Sequence, residues 1–161
     1  PIRGNIDTRI NKLKKKEFDA IVLAFAGLEA LNIKNEAKEI FSINQMLPAV
    51  GQGAIAIQTR KNDLKSLDLI KKINHQETFF CVKAERALLE AIGGDCDTAV
   101  GAIGTIEKDK IFLRSELFSN DGSKKFIAEG SGNFKEAQEV GYRVGKDLLK
   151  KAGSNFKVIG N

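Results

Sequence analysis

The sequence predicts an α/β portion followed by a small α+β domain, and three observations point to that division. Residues 19–26, DAIVLAFA, form a continuous apolar run after a helix-periodic stretch, the pattern of a parallel strand buried on both faces. From residue 77 the order changes to a helix, three strand-like runs and a closing helix, the pattern of an antiparallel sheet with helices on one face. Between the two, polar Asn74-His75-Gln76 separates successive helical patterns and suits a boundary.

Taken in order, residues 3–18 open with Arg-Gly-Asn and continue as a helix, with Ile6, Ile10 and Leu13 on one face and Asn5 or Asp7 available as N-cap. The buried strand 19–26 follows, then Gly27 and a further helical stretch. Residues 34–46 are mixed and polar, with helix expected around Glu36–Phe41, and Pro48 ends what precedes it. Ala49-Val-Gly-Gln-Gly-Ala leads into a short strand at 54–59. A helix then begins at Asn62 or Asp63, with Leu64, Leu67, Ile70 and Ile73 along one face.

Residues 77–92 read as a helix whose apolar face carries Phe79, Val82, Leu89 and Ile92, with Gly93-Gly94 as its C-terminal cap. Strands are expected at 98–106, 111–118 and 125–130, the last two joined through Ser-Asn-Asp-Gly-Ser at 119–123. Asn133 and Glu136 resemble a capping box opening helix 134–152, with Ala137, Val140, Val144 and Leu148 facing the sheet and Gly153 closing it.

Composition is that of a globular protein, 42% hydrophobic and 29% charged over 161 residues. No apolar run approaches the roughly 18 residues of a membrane span, so a cytoplasmic chain without a membrane partner is expected. The formal charge of +5 comes largely from lysines spread along the chain, with Lys14-Lys15-Lys16 the one tight run. With one tyrosine, Tyr142, and no tryptophan, clustered aromatic stacking residues for nucleic acid are lacking, and no nucleic-acid partner is expected. Cys81 and Cys96 have neither CxxC nor Cys/His spacing, which predicts no metal site and no disulfide framework.

Several residues carry possible chemistry. Arg3-Gly4-Asn5 before a helix reads either as an anion site, with Arg9 as a second guanidinium, or as a surface arginine at a helix start. Gly51-Gln52-Gly53 lacks the spacing of a phosphate loop and by itself is a turn. Glu85 and Arg86 read as ordinary exposed or paired helical charges, His75 as structural or exposed, and Cys81 as a buried helix residue. Cys96 follows a helix C-terminus, where the dipole disfavours a thiolate, so it reads as an anchor rather than an activated nucleophile.

The runs RGNIDTR at 3–9, DAIVLAFAGL at 19–28, LPAVGQGAIAI at 47–57 and ETFFCVKAERALL followed by GGDC resemble the porphobilinogen deaminase family, also called hydroxymethylbilane synthases. The resemblance runs nearly end to end and covers the C-terminal half of such an enzyme. It implies that residues 1–48 complete a second α/β domain of periplasmic-binding-like fold, that 49–75 return to the first, and that 76–161 form a cofactor-anchoring α+β domain with a three-stranded antiparallel sheet. The implied activity is a transferase that condenses four porphobilinogen units into hydroxymethylbilane, in tetrapyrrole and haem biosynthesis, on a covalently attached dipyrromethane.

The same resemblance implies roles for single residues. Cys96 is the attachment point, Arg3 and Arg9 hold acetate and propionate carboxylates, Gly4, Asn5 and Gln52 line the cleft, and Arg86 lies near the cofactor. The catalytic aspartate is expected upstream, in the other half of the enzyme, which would make this chain inactive alone and the full-length protein a monomer. Two departures from the family pattern stand out: Asp95 precedes the cysteine with Thr98-Ala99 in place of Val-Pro, and Ala30 stands where many relatives carry an arginine. A rival class is a non-enzymatic anion or small-molecule binding module, which would have no use for a covalent adduct on Cys96.

Overall fold

The computed structural model describes residues 2–94 and 98–153. The chain divides into two compact units, residues 1–41 and 42–161. In the first, Asn5 caps helix α1 (Ile6–Lys14) by accepting from the Thr8 amide, and α2 (Phe25–Ala30) leads to a 3-10 turn, Lys34–Glu36. Ile10 and Leu28 are its buried apolar side chains, and Lys14 Nζ meets Glu36 Oε1 at 2.8 Å.

Two expectations fail in this unit. Residues 19–24 form no strand and Val22 is 62% exposed, while Phe25 already belongs to a helix. A strand exists by pairing, and no described residue offers this run a ladder. The helix expected around Glu36–Phe41 is also absent. Ala37 leaves the helical region at φ −70, ψ 123, and exposed Ile40 and Phe41 supply no packing to offset the cost of nucleation.

The second unit holds α3 (Leu64–Lys71), α4 (Gln76–Ala91), β1 (Val100–Glu107), β2 (Lys110–Phe118), β3 (Lys125–Asn133) and α5 (Ala137–Ala152). The three strands form an antiparallel meander in the order β1-β2-β3. This is the small α+β domain that the sequence predicts, with β3 running three residues further than expected and β1 starting two residues later. Alternation along β2 buries Ile111, Leu113, Ser115 and Leu117, which join Ala84, Leu88, Ile92, Ala128, Val140, Val144 and Leu148 in one core. Each fully buried aliphatic side chain contributes on the order of 1.5–3 kcal/mol. Ser115 is satisfied there by donating to Ala128 O at 2.7 Å.

Asn133 caps a 3-10 turn, Phe134–Glu136, before α5 begins at Ala137, and the expected residues Ala137, Val140, Val144 and Leu148 are buried. Gly153 follows as the C-cap. In α4 the expected face is shifted. Phe79 is 54% exposed, and burial falls on Ala84, Glu85, Ala87, Leu88, Ala91 and Ile92, because alanines let α5 approach closely. The strand expected at 54–59 does not form, and Ile55 is 93% exposed. Asp63 caps α3 through Ser66, yet Leu64 and Ile73 remain exposed rather than lining a packed face.

Candidate functional site

The sequence-predicted residues fall into three places. Arg3, Gly4, Asn5 and Arg9 lie together in the first unit, Gln52 and Arg86 belong to the second, and Cys96 lies outside the described residues.

At the start of α1, Gly4 adopts φ 118, a backbone conformation that L side chains rarely take, and a Cβ there would stand 2.7 Å from Thr8 Cγ2. This turn sends the Gly4 carbonyl to Arg9, whose Nε donates to it at 2.8 Å. The guanidinium is thereby fixed at the helix N-terminus, and its terminal nitrogens carry its remaining donors. Asn5 is occupied as the cap, accepting from Thr8 N at 2.9 Å and Thr8 Oγ1 at 2.7 Å. Arg3 has an exposed side chain, while its carbonyl accepts from Lys12 Nζ at 3.3 Å. The Arg9 guanidinium, the Lys12 ammonium and the positive end of a helix thus gather at one place, with Arg3 on the adjoining backbone, an arrangement suited to carboxylates.

In the second unit, Leu47 is buried against Gly101, and the chain at 48–49 runs along the free edge of β1, with Ala102 N donating to Pro48 O at 3.0 Å and an antiparallel bridge from Ala49 to Gly101. It then turns through Gly51 and Gly53, both at positive φ, presenting Gln52 exposed between them. Two hollows adjoin this turn. One, of about 510 Å3, is lined by Gln52, His75, Glu77, Cys81, Glu85 and Thr105 among others. The second, of about 880 Å3, has Arg86, Ile55, Ile70, Phe79 and Val82 in its wall. Gln52 and Arg86 therefore face neighbouring hollows, not one shared pocket.

Glu85 is the residue that sequence reasoning missed. Rather than an exposed or paired helical charge, it is 7% exposed, and its carboxylate accepts from Gly51 N at 2.8 Å and from Gly104 N at 2.9 Å. Burial pushes its pKa up, against the lowering effect of the Gly104 and Gly51 amides. The neighbouring Cys81 thiol is also pushed up, first by burial and then by the negative charges of Glu85 and Glu77, which disfavours its thiolate. No signal in the sequence separates Glu85 from Arg86 beside it, because its partners are backbone amides.

His75 caps α4 through Nδ1, a structural role. At the other end of α4, Gly93 takes φ 66 and Gly94 N donates to Leu89 O, the glycine cap expected there. The helix ends at Ala91, and Ile92, Gly93 and Gly94 lead on towards residues 95–97. Among the described residues there is no cluster of metal-ligating side chains and no helix long and apolar enough to cross a membrane.

Comparison with known proteins gives two family matches: "Porphobilinogen deaminase, dipyromethane cofactor binding domain" over residues 1–68, and "Porphobilinogen deaminase, C-terminal domain" over 79–150. Among similar relatives, the porphobilinogen deaminase of Coxiella burnetii (strain Dugway 5J108-111) is 41% identical over 155 residues, covering 96% of this chain and 50% of the relative. That of Blochmanniella pennsylvanica is 41% identical over 150 residues, with 93% and 50% covered. That of Alkaliphilus metalliredigens is 35% identical over 156 residues, with 97% and 49% covered. The chain spans about half the length of the curated relatives it matches.

Proposed function

The chain belongs to the porphobilinogen deaminase family, and from that premise we propose that it supplies the C-terminal half of a transferase joining four porphobilinogen units head to tail into hydroxymethylbilane. The primer is a dipyrromethane on Cys96. When bound, this group supplies the nucleophilic pyrrole carbon to which each new unit is joined. Everything else asked of this half is binding: anchoring the primer, neutralising its carboxylates and keeping them in register as the product lengthens.

The observation that carries the reading is the cluster at the start of α1. Arg9 is oriented by the Gly4 carbonyl, and Lys12 reaches the backbone carbonyl of the neighbouring Arg3. A pyrrole chain bearing acetate and propionate groups presents several carboxylates, and guanidinium forks are the side chains best matched to them. The donor set therefore fits the cofactor. Ala30 offers no charge, so the anion contact expected at that position is missing or supplied by another residue.

In this reading Gly4, Asn5 and Gln52 line the cleft, and Arg86 lies near the cofactor. Residues 1–48 complete one periplasmic-binding-like α/β domain, 49–75 return to another, and 76–161 anchor the cofactor. The upstream half contributes the catalytic aspartate, so the 161-residue chain alone should consume no porphobilinogen. The complete enzyme is a cytoplasmic monomer.

Peptide mass mapping of the active full-length protein tests the assignment. A dipyrromethane mass on the Cys96 peptide with Cys81 unmodified is the expected result. Bare Cys96 in active protein would end it, and bare Cys96 in inactive protein that still binds small anions would favour a ligand-binding module.

A further inference from the structure

β1 is an edge strand, and its outward amides need partners that β2 cannot supply. Ala102 N finds Pro48 O, and the Ala49–Gly101 bridge begins what would be a fourth strand. At Gly51 the chain turns away, since φ 70 is incompatible with continuing it. Glu85 fills the place of the next rung, with one carboxylate oxygen on Gly51 N and the other on Gly104 N. A single buried side chain thus ties the turn bearing Gln52 to the sheet edge.

We propose that Glu85 is the positioning residue of the Gly51–Gly53 turn, fixing where the segment carrying Gln52 leaves the α+β domain. The geometry is specific to a carboxylate of this length. Glutamine offers one acceptor oxygen and sets an NH2 group against the second backbone N–H, and leucine leaves both amides without a partner. Gly104 is also packed closely on α4, because a Cβ there would lie 3.0 Å from the Cα of Cys81. That contact holds the helix at the distance from which Glu85 reaches both amides. The consequence for ligand binding rests on the binding role proposed for Gln52.

The test is amide hydrogen exchange followed in full-length protein with Glu85→Leu and Glu85→Gln substitutions, using Val144 and Leu148 of α5 as internal reference. Loss of a charge-assisted bond should speed exchange at Gly51 and Gly104 about tenfold to a hundredfold in Glu85→Leu, with the α5 amides unchanged. Unchanged exchange at Gly51, or an equal increase in α5, would overturn the proposal. If Glu85→Leu does not fold, Glu85→Gln decides it, with one of the two amides expected to lose protection. In protein carrying the cofactor, Glu85→Gln should raise KM for porphobilinogen several-fold more than it lowers kcat. A loosened turn with KM unmoved would refute positioning of the ligand site. An absent Cys96 adduct would instead remove the enzymatic reading and leave the exchange result standing.

Discussion

Gly141 of α5 lies against the Ala84 carbonyl of α4 so closely that a Cβ on the glycine would overlap that oxygen. One turn on, a Cβ at Gly145 would stand 2.8 Å from Leu88 O. The two helices therefore meet backbone to backbone along α4's alanine face, and α4 can pass beneath the sheet with Glu85 in reach of β1. Backbone carbonyls cannot rotate aside as a side chain can. Gly141→Ala should destabilise the domain by about 3 kcal/mol, the upper part of the range for overpacking, whereas Lys146→Ala on the exposed face of α5 should stay within about 0.5 kcal/mol. Urea unfolding followed by circular dichroism measures both.

The α+β domain was legible because its elements pair with sequence neighbours: alternation in 111–118, the turn at 119–123 and the Val140-Val144-Leu148 stripe depend on no distant partner. The runs at 19–26 and 54–59 have the apolar character of strands, but a strand's hydrogen bonds belong to its neighbour, which a local pattern cannot supply. The face of α4 was misjudged for a different reason. Large residues such as Phe79 dominate an apolar count, yet close helix packing is made by Ala84, Ala87 and Ala91. Asn5 as cap could be read from residue type, while the turn of Gly4 towards Arg9 depends on a dihedral that composition does not announce.

The bond from Arg9 Nε to Gly4 O leads to a graded expectation for the anion cluster. In full-length enzyme, Arg9→Leu or Arg3→Leu should slow cofactor assembly or chain elongation about tenfold to a hundredfold, the equivalent of about 1.5–3 kcal/mol for a lost charged hydrogen bond. Arg9→Lys should rescue only part, since an ammonium can bind either the Gly4 carbonyl or a ligand carboxylate but has no planar fork for both. Single-turnover assays resolving the successive elongation steps would read this. Equal rates in wild type and both leucine variants would remove these arginines from the binding role.

The turn joining β2 to β3 carries a pH signature. Asp121 is held down to about 2 by donation from Ser119 and Ser123 to its carboxylate. A carboxyl lowered from its ordinary 3.8 stabilises the folded turn above that pH, and the contribution is lost as pH falls through about 2. Side-chain carboxyl NMR should therefore show Asp121 titrating near pH 2, and Ser119→Ala should move its midpoint back towards 3.8. A midpoint already at the ordinary aspartate value in wild type would contradict the hydrogen-bonded turn.

Exchange along the 161-residue chain should follow how its backbone groups are paired. The amides of Lys110–Phe118 belong to the central strand, bonded on both sides, and those of Ala137–Ala152 to a helix with a buried face, so both should open only with the whole domain. Residues 19–24 and 54–59 belong to no helix or strand, and Val22 and Ile55 are exposed, so exchange there should approach the rate of unstructured peptide. The turn at Gly51 should fall between these limits, protected through Glu85 although it lies outside any strand. Mass-resolved exchange of peptic peptides distinguishes the three classes. Strong protection across 54–59 would mean that this apolar run finds a strand partner in solution, and equal rates in β2 and 19–24 would mean that the three-stranded sheet does not fold as a cooperative unit.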